Sequence, residues 1–164
     1  MPKIVDINVG EMAVGEADAC IRTNGVGSCM VICIRDEHKK VGGMAHSMLP
    51  TRNKSSKIRK ELVVIDNYTS VGKYVDEAIE RLVEEIEYLG GKKERMIAKL
   101  VGGSRMFKFL NDSDGGIGSQ NIEMAKKKLA ELQIPIDGED VGGTVGRMAE
   151  FNVGNGVVAI SIRI

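Results

Sequence analysis

Between Thr23 and His46 the chain carries a thiol, an imidazole and a glycine-rich turn, the parts of a thiol-dependent acyl-transfer site. Cys29 follows Gly25-Val26-Gly27-Ser28, and His46 follows Gly42-Gly43-Met44-Ala45. Met30 to Arg35 reads as a buried strand, Asp36 to Lys39 as a polar turn, and Val41 to Leu49 as a returning strand stopped by Pro50. If Asp36 to Lys39 is a four-residue loop, Arg35 faces Lys40 and Cys29 faces His46. Directly opposed residues share one face of an antiparallel pair, with Cβ atoms about 4.5–5.5 Å apart. A thiol and an imidazole could then share a hydrogen bond. A one-residue slip would put them on opposite faces.

That pairing suits a nucleophile. A free thiol titrates near ~8.5 and is mostly protonated at neutral pH. A neighbouring imidazole takes the proton and stabilises the thiolate. The small residues before Cys29 let a substrate approach the backbone. Gly27 and Ser28 are the candidates for N–H groups that would bind the oxyanion of a tetrahedral intermediate.

Plainer readings compete with this one. A cysteine opening an apolar strand is, taken alone, more often core than catalyst. A lone histidine is more often a surface or hydrogen-bonded residue than a base. Cys20, Cys29, Cys33, His38 and His46 suggest zinc, yet there is no CxxC, and Cys29 and Cys33 on one strand make a poor clamp for a tetrahedral ion. No metal and no cofactor are therefore expected. Cys20 and Cys33 read as packing residues, and His38 as a solvated turn residue.

The elements around this hairpin are short and divided by Gly and Pro. Ile4 to Val9, Met12 to Ala17 and Ile21 to Asn24 read as strands. Thr51 to Lys60 is a basic loop, and Leu62 to Ile65 is too short to assign. Val71, Tyr74, Val75, Ala78, Ile79, Leu82, Val83, Ile86 and Leu89 form one apolar stripe at helical spacing. Thr69 or Ser70 is positioned to cap that helix, and Gly90 to end it. Met96 to Val101 is a strand and Ile122 to Leu132 a second helix, with Ser119 or Asn121 near its start. Ile134 to Ile136, Arg147 to Val153 and Val157 to Ile162 are strands, the last two joined by an Asn155-Gly156 turn. Asp114 to Gly118 lacks the residues of a phosphate loop. The order predicts an α/β (α+β) single domain over residues 1–164. It has a mixed, largely antiparallel sheet with two main helices packed on it, a layered sandwich.

Composition narrows the class. With 43% hydrophobic and 28% charged residues the chain is globular rather than disordered. Lys plus Arg number 23 and Asp plus Glu number 23, so no net charge points to nucleic acid or an anionic membrane. No apolar run approaches the roughly 20 residues that span a bilayer, and the N-terminus does not read as a signal peptide. Three cysteines cannot all pair within the chain, which fits a reducing cytoplasm.

The blocks Thr23-Asn24-Gly25-Val26-Gly27-Ser28-Cys29 and Gly42-Gly43-Met44-Ala45-His46-Ser47-Met48-Leu49-Pro50 occur in order. With Gly10-Glu11-Met12, Gly102-Gly103-Ser104-Arg105-Met106-Phe107, Ile117-Gly118-Ser119-Gln120-Asn121 and Gly142-Gly143, they resemble the CheD family of chemoreceptor glutamine deamidases over nearly the whole chain. The resemblance implies a catalytic Cys29–His46 pair, with Thr23 as the third residue. It implies hydrolysis of receptor glutamine side chains to glutamate through a cysteine thioester, with methylesterase activity as an extension. The implied partners are chemoreceptor cytoplasmic domains and a CheC-like phosphatase, for which Met106 and Phe107 are candidate contacts. An alternative in which the chain is chiefly a regulatory module for such a phosphatase stands beside it.

Overall fold

The computed structural model describes residues 2–52, 71–105 and 116–163. The strands are β1 (Lys3–Asp6), β2 (Met12–Gly15), β3 (Ala19–Val26), β4 (Met30–Asp36), β5 (Val41–Ser47), β6 (Met96–Gly102), β7 (Ile136–Val141), β8 (Gly146–Asn152) and β9 (Val158–Arg163). The helices are α1 (Val75–Tyr88) and α2 (Gly116–Glu131). The strands form two sheets rather than one: β2-β5-β4-β6-β7, and β1-β3-β8-β9. Among the described strands only β1–β3 and β6–β7 pair in parallel. The α+β, largely antiparallel, layered architecture is thus as the sequence implies.

The five-stranded sheet is the middle layer. Every residue of β4 and β5 is buried, because each strand has a layer on both faces. Met30, Ile32, Ile34 and Ala45 pack with Val75, Ile79, Leu82 and Ile86 of α1 and Leu129 of α2. Val31, Cys33 and Met44 turn the other way, onto Ile21, Ala149 and Phe151 of the four-stranded sheet. Alternation along a strand decides this division. It also decides that odd-numbered residues of β4 and even-numbered residues of β5 look into the gap between the sheets.

The hairpin register differs from the expected one. Asp36 pairs Val41, and Val31, not Cys29, is opposite His46. Asp36 is the physical reason. It is fully buried, and its carboxylate accepts the N–H groups of His38 (2.8 Å) and Lys39 (2.9 Å). The turn therefore starts after Asp36. Lys92 N–H (2.8 Å) and the Arg95 guanidinium (3.0 Å) complete the cage. Moving both ends of the loop by one residue shifts the pairing by two, which preserves the face. Extended one residue past β4, the alternation would still give Cys29 the side of His46.

Burial raises the Asp36 pKa, but the bonds from Lys39, Arg95, Lys92 and His38 outweigh it and hold the group at about 2. A carboxylate lowered from 3.8 contributes stability above that pH and loses it as pH falls through about 2. Asp36→Asn is expected to cost roughly 3 kcal/mol at neutral pH in urea unfolding. The gap from wild type should narrow between pH 4 and 2. A gap that stays constant across that window would refute the assignment.

Three boundaries moved for tertiary reasons. α1 begins at Val75, because Lys73 and Tyr74 are drawn into extended pairing beside β5. Its first amides are capped by backbone: Val75 N–H on Leu49 O (2.9 Å) and Asp76 N–H on Pro50 O (3.3 Å). Thr69 and Ser70 lie outside the described residues. α2 starts at Gly116, so Asn121 is inside the helix, not at its cap. β7 covers the acidic stretch Ile136–Val141, where pairing with β6 overrides weak strand propensity. Of the basic loop, Thr51 and Arg52 bond Asp76 and Glu77 of α1, and residues 53–60 lie outside the described residues.

Candidate active site

Thr23 and His46 meet at one end of the gap between the sheets, the end where Cys29 enters β4. Cys29 directly precedes β4. Cys29 itself is in a bend, and extending the alternation of β4 by one residue would give it the face of Val31, diagonal to His46. Diagonal positions are about 7–8 Å apart at Cα, within reach of long side chains. His46 is fully buried on β5. Its N–H donates to Glu11 O (3.0 Å) and its carbonyl accepts from Gly10 N–H (2.7 Å).

Thr23 comes from β3, in the facing sheet. A bulge interrupts β3 between Thr23 and Val26, where Gly25 takes a φ of 68°. That extra length lets both Thr23 and Val26 point inward. The Thr23 hydroxyl is 2.7 Å from His46 Nδ1 and 3.0 Å from Ile7 O. A hydroxyl has one proton, and a carbonyl can only accept. The Thr23 proton therefore goes to Ile7 O, and Thr23 Oγ1 accepts from His46 Nδ1–H. The imidazole is thereby held as the Nδ1–H tautomer, with a bare lone pair on Nε2. Nε2 is buried and, among the described residues, has no hydrogen-bond partner. The expected thiol–imidazole hydrogen bond is thus not made in the resting arrangement.

Burial raises the Cys29 pKa, against the pull of its own backbone amide. Burial also pushes His46 down to about 4. Both shifts favour the uncharged forms, so the pair rests as thiol and neutral imidazole. Proton transfer then has to accompany nucleophilic attack.

The loop before Cys29 is held by its carbonyls. Gly27 O accepts from Ser104 N–H (2.9 Å), Ser28 O from Asn121 Nδ2 (2.8 Å) and Cys29 O from Gly103 N–H (2.8 Å). In a trans peptide the carbonyl and the following N–H point in opposite directions. The N–H groups of Ser28 and Cys29 are therefore turned away from those anchors. Among the described residues the Ser28 N–H has no acceptor. Of the two expected oxyanion candidates, Gly27 is fixed through its carbonyl, and the Ser28 amide is left available among the described residues. Gly102 allows this approach: it has a φ of 114°, and a Cβ there would collide with Cys29 O.

Other candidates separate from the site. Met106 and Phe107 lie outside the described residues. Cys20 is half-buried on β3, and Cys33 is buried in the inter-sheet core, where desolvation raises its pKa. Among the described residues no three His, Cys, Asp or Glu side chains cluster as metal ligands. A cavity of about 80 Å³ near Cys33, Arg35, Lys99 and Phe151 contains none of the site residues. Sequence reasoning missed Asn121 as a site residue. The available signal was an asparagine four and eight residues before Ala125 and Leu129, on the buried face of α2.

Residues 48–162 match the family model described as CheD chemotactic sensory transduction. That match starts after His46 and so does not include Thr23, Cys29 or His46. Longer similarities span that segment. The chain is 44% identical over 160 residues to a probable chemoreceptor glutamine deamidase CheD of Geobacillus kaustophilus, covering 95% of this chain and 90% of the relative. It is 40% identical over 153 residues to the chemoreceptor glutamine deamidase CheD of Halalkalibacterium halodurans, covering 93% and 89%. It is 40% identical over 155 residues to that of Thermotoga maritima, covering 94% and 88%.

Proposed function

The chain belongs to the CheD family, and from that premise we propose that it deamidates glutamine side chains of chemoreceptors, with Cys29 as nucleophile and His46 as base. The observation that carries the residue assignment is the Ile7–Thr23–His46 chain of hydrogen bonds. Among the described residues it leaves the Nε2 lone pair of His46 without a partner, on the side to which strand alternation, extended one residue past β4, assigns Cys29. A buried acceptor without a partner costs about 1–3 kcal/mol, which a purely structural histidine would not need to bear.

The reaction runs in two halves. Cys29 Sγ attacks the side-chain amide carbon while His46 Nε2 takes the thiol proton. The oxyanion is met by the Ser28 and Cys29 N–H groups. Protonated His46 returns the proton to the nitrogen, and ammonia leaves. A γ-glutamyl thioester remains on Cys29. His46 then removes a proton from water, which attacks the thioester, and glutamate and the thiol are released. A glutamyl methyl ester enters the same sequence with methanol as leaving group. The substrate is a chemoreceptor cytoplasmic domain, and a CheC-like phosphatase is the proposed second partner. The reaction belongs in the cytoplasm, where the three free cysteines stay reduced. Among the described residues no helix is long and apolar enough to cross a membrane.

Mass spectrometry tests the reading directly. A receptor cytoplasmic fragment incubated with the protein in ¹⁸O-water should show Gln→Glu conversion with ¹⁸O in the new carboxylates. A fragment whose mass stays unchanged would refute it.

A further inference from the structure

Asn121 is fully buried, yet it sits on a helix face otherwise formed by Gly118, Ala125 and Leu129. Its two N–H donors are both used. Nδ2 donates to Ser28 O (2.8 Å) and to Met48 O (3.1 Å). Ser28 immediately precedes Cys29, and Met48 lies two residues beyond His46. One side-chain amide therefore spans the loop of the thiol and the strand of the imidazole.

The cost of this arrangement is visible. Among the described residues Asn121 Oδ1 is buried without a hydrogen-bond partner. Flipping the amide would aim Oδ1 at two carbonyls, so the orientation is set by its neighbours. An apolar residue would fill the same helical position without leaving an acceptor unpaired. What asparagine adds is the pair of donors.

We propose that Asn121 is a positioning residue for the deamidation: it ties Ser28 O to Met48 O, which fixes Cys29 against His46 and turns the Cys29 N–H toward the reacting centre. The geometry follows from the Ser28–Cys29 peptide. With its carbonyl held by α2, its N–H must point the opposite way. Releasing the carbonyl lets the peptide rotate and removes one oxyanion donor. Asn121 acts through the backbone and touches no substrate. This inference rests on the function proposed above.

The test uses Asn121→Leu, which keeps the helix face filled, and Asn121→Ala, which empties it. Both residues exceed asparagine in helix propensity, so α2 is preserved. Three readouts are needed: kcat and KM for a receptor fragment, the pH midpoint of Cys29 alkylation by iodoacetamide, and cooperative melting. Loss of one oxyanion donor should lower kcat about 10²-fold. KM should stay unchanged, and the alkylation midpoint should move to higher pH as the thiolate loses its amide. A folded variant with kcat within about threefold of wild type and an unmoved midpoint would overturn the proposal. Failure of both variants to melt cooperatively would overturn it too, because Asn121 would then belong to the core. If wild-type protein leaves the receptor fragment unchanged, the deamidase reading fails instead. The alkylation readout needs no substrate and still tests Asn121.

Discussion

With Cys29 replaced by alanine, receptor deamidation is expected to fall at least ~10³-fold, and His46→Ala should lower it roughly 10²–10⁴-fold. The two losses should not multiply. Each residue is useless to the first half-reaction without the other, so the double variant should match the weaker single variant. The initial rate of glutamate formation in a receptor fragment, read by mass spectrometry, decides this. Cys29→Ala protein that still converts the receptor would eliminate the proposed mechanism.

The pH profile separates this pair from a resting ion pair. Burial lowers the His46 pKa from 6.5 to about 4 and raises that of Cys29. The imidazole is therefore available as base well below pH 6.5. The acid limb of kcat/KM should fall near pH 4, and a limb near 6.5 would contradict the buried neutral base. The same shift acts on stability. The unfolded chain binds the proton more readily, so this contribution is intact above 6.5 and is lost as pH falls toward 4.

Thr23→Val is the second large effect. Valine keeps the shape and removes the hydroxyl that receives His46 Nδ1–H. The imidazole is then free to carry its proton on Nε2, where it cannot act as base. A histidine held in the wrong tautomer can lose on the order of 10⁴-fold in kcat, and a free one part of that, so a fall of roughly 10²–10⁴-fold is expected. Ile7 O also loses its donor, and melting should report about 1–3 kcal/mol of lost stability. Thr23→Ser restores both bonds and should recover most of the rate. A Thr23→Val enzyme with wild-type kcat would show that the hydroxyl does not set the tautomer.

Much of this site follows from local pattern. The imidazole lies on the β4–β5 hairpin with the thiol on the residue just before it, and period-two alternation, extended to Cys29, assigns both to one face. The two-residue error in register did not alter that face, because strand alternation has the same period. The α1 stripe was legible because six buried residues recur at helical spacing. The position of Asp36 was less so. It looked like the first residue of a polar turn, but four donors, two of them from Lys92 and Arg95, draw it into the core.

By itself, the sequence determined the α+β class, the elements of the hairpin and the chemical identity of Cys29 and His46. Its family blocks also pointed to Thr23. Tertiary structure decided what those groups can do. Thr23 reaches His46 only because a second sheet, bulged after Thr23, packs over the first. Asn121 meets Ser28 only because α2 docks against the end of β4. The neutral resting state of the pair arises from burial between the layers. The physical reason is range. Alternation and turn chemistry are properties of neighbouring residues, whereas a hydrogen bond between sheets and the removal of water require segments far apart in the chain to pack together.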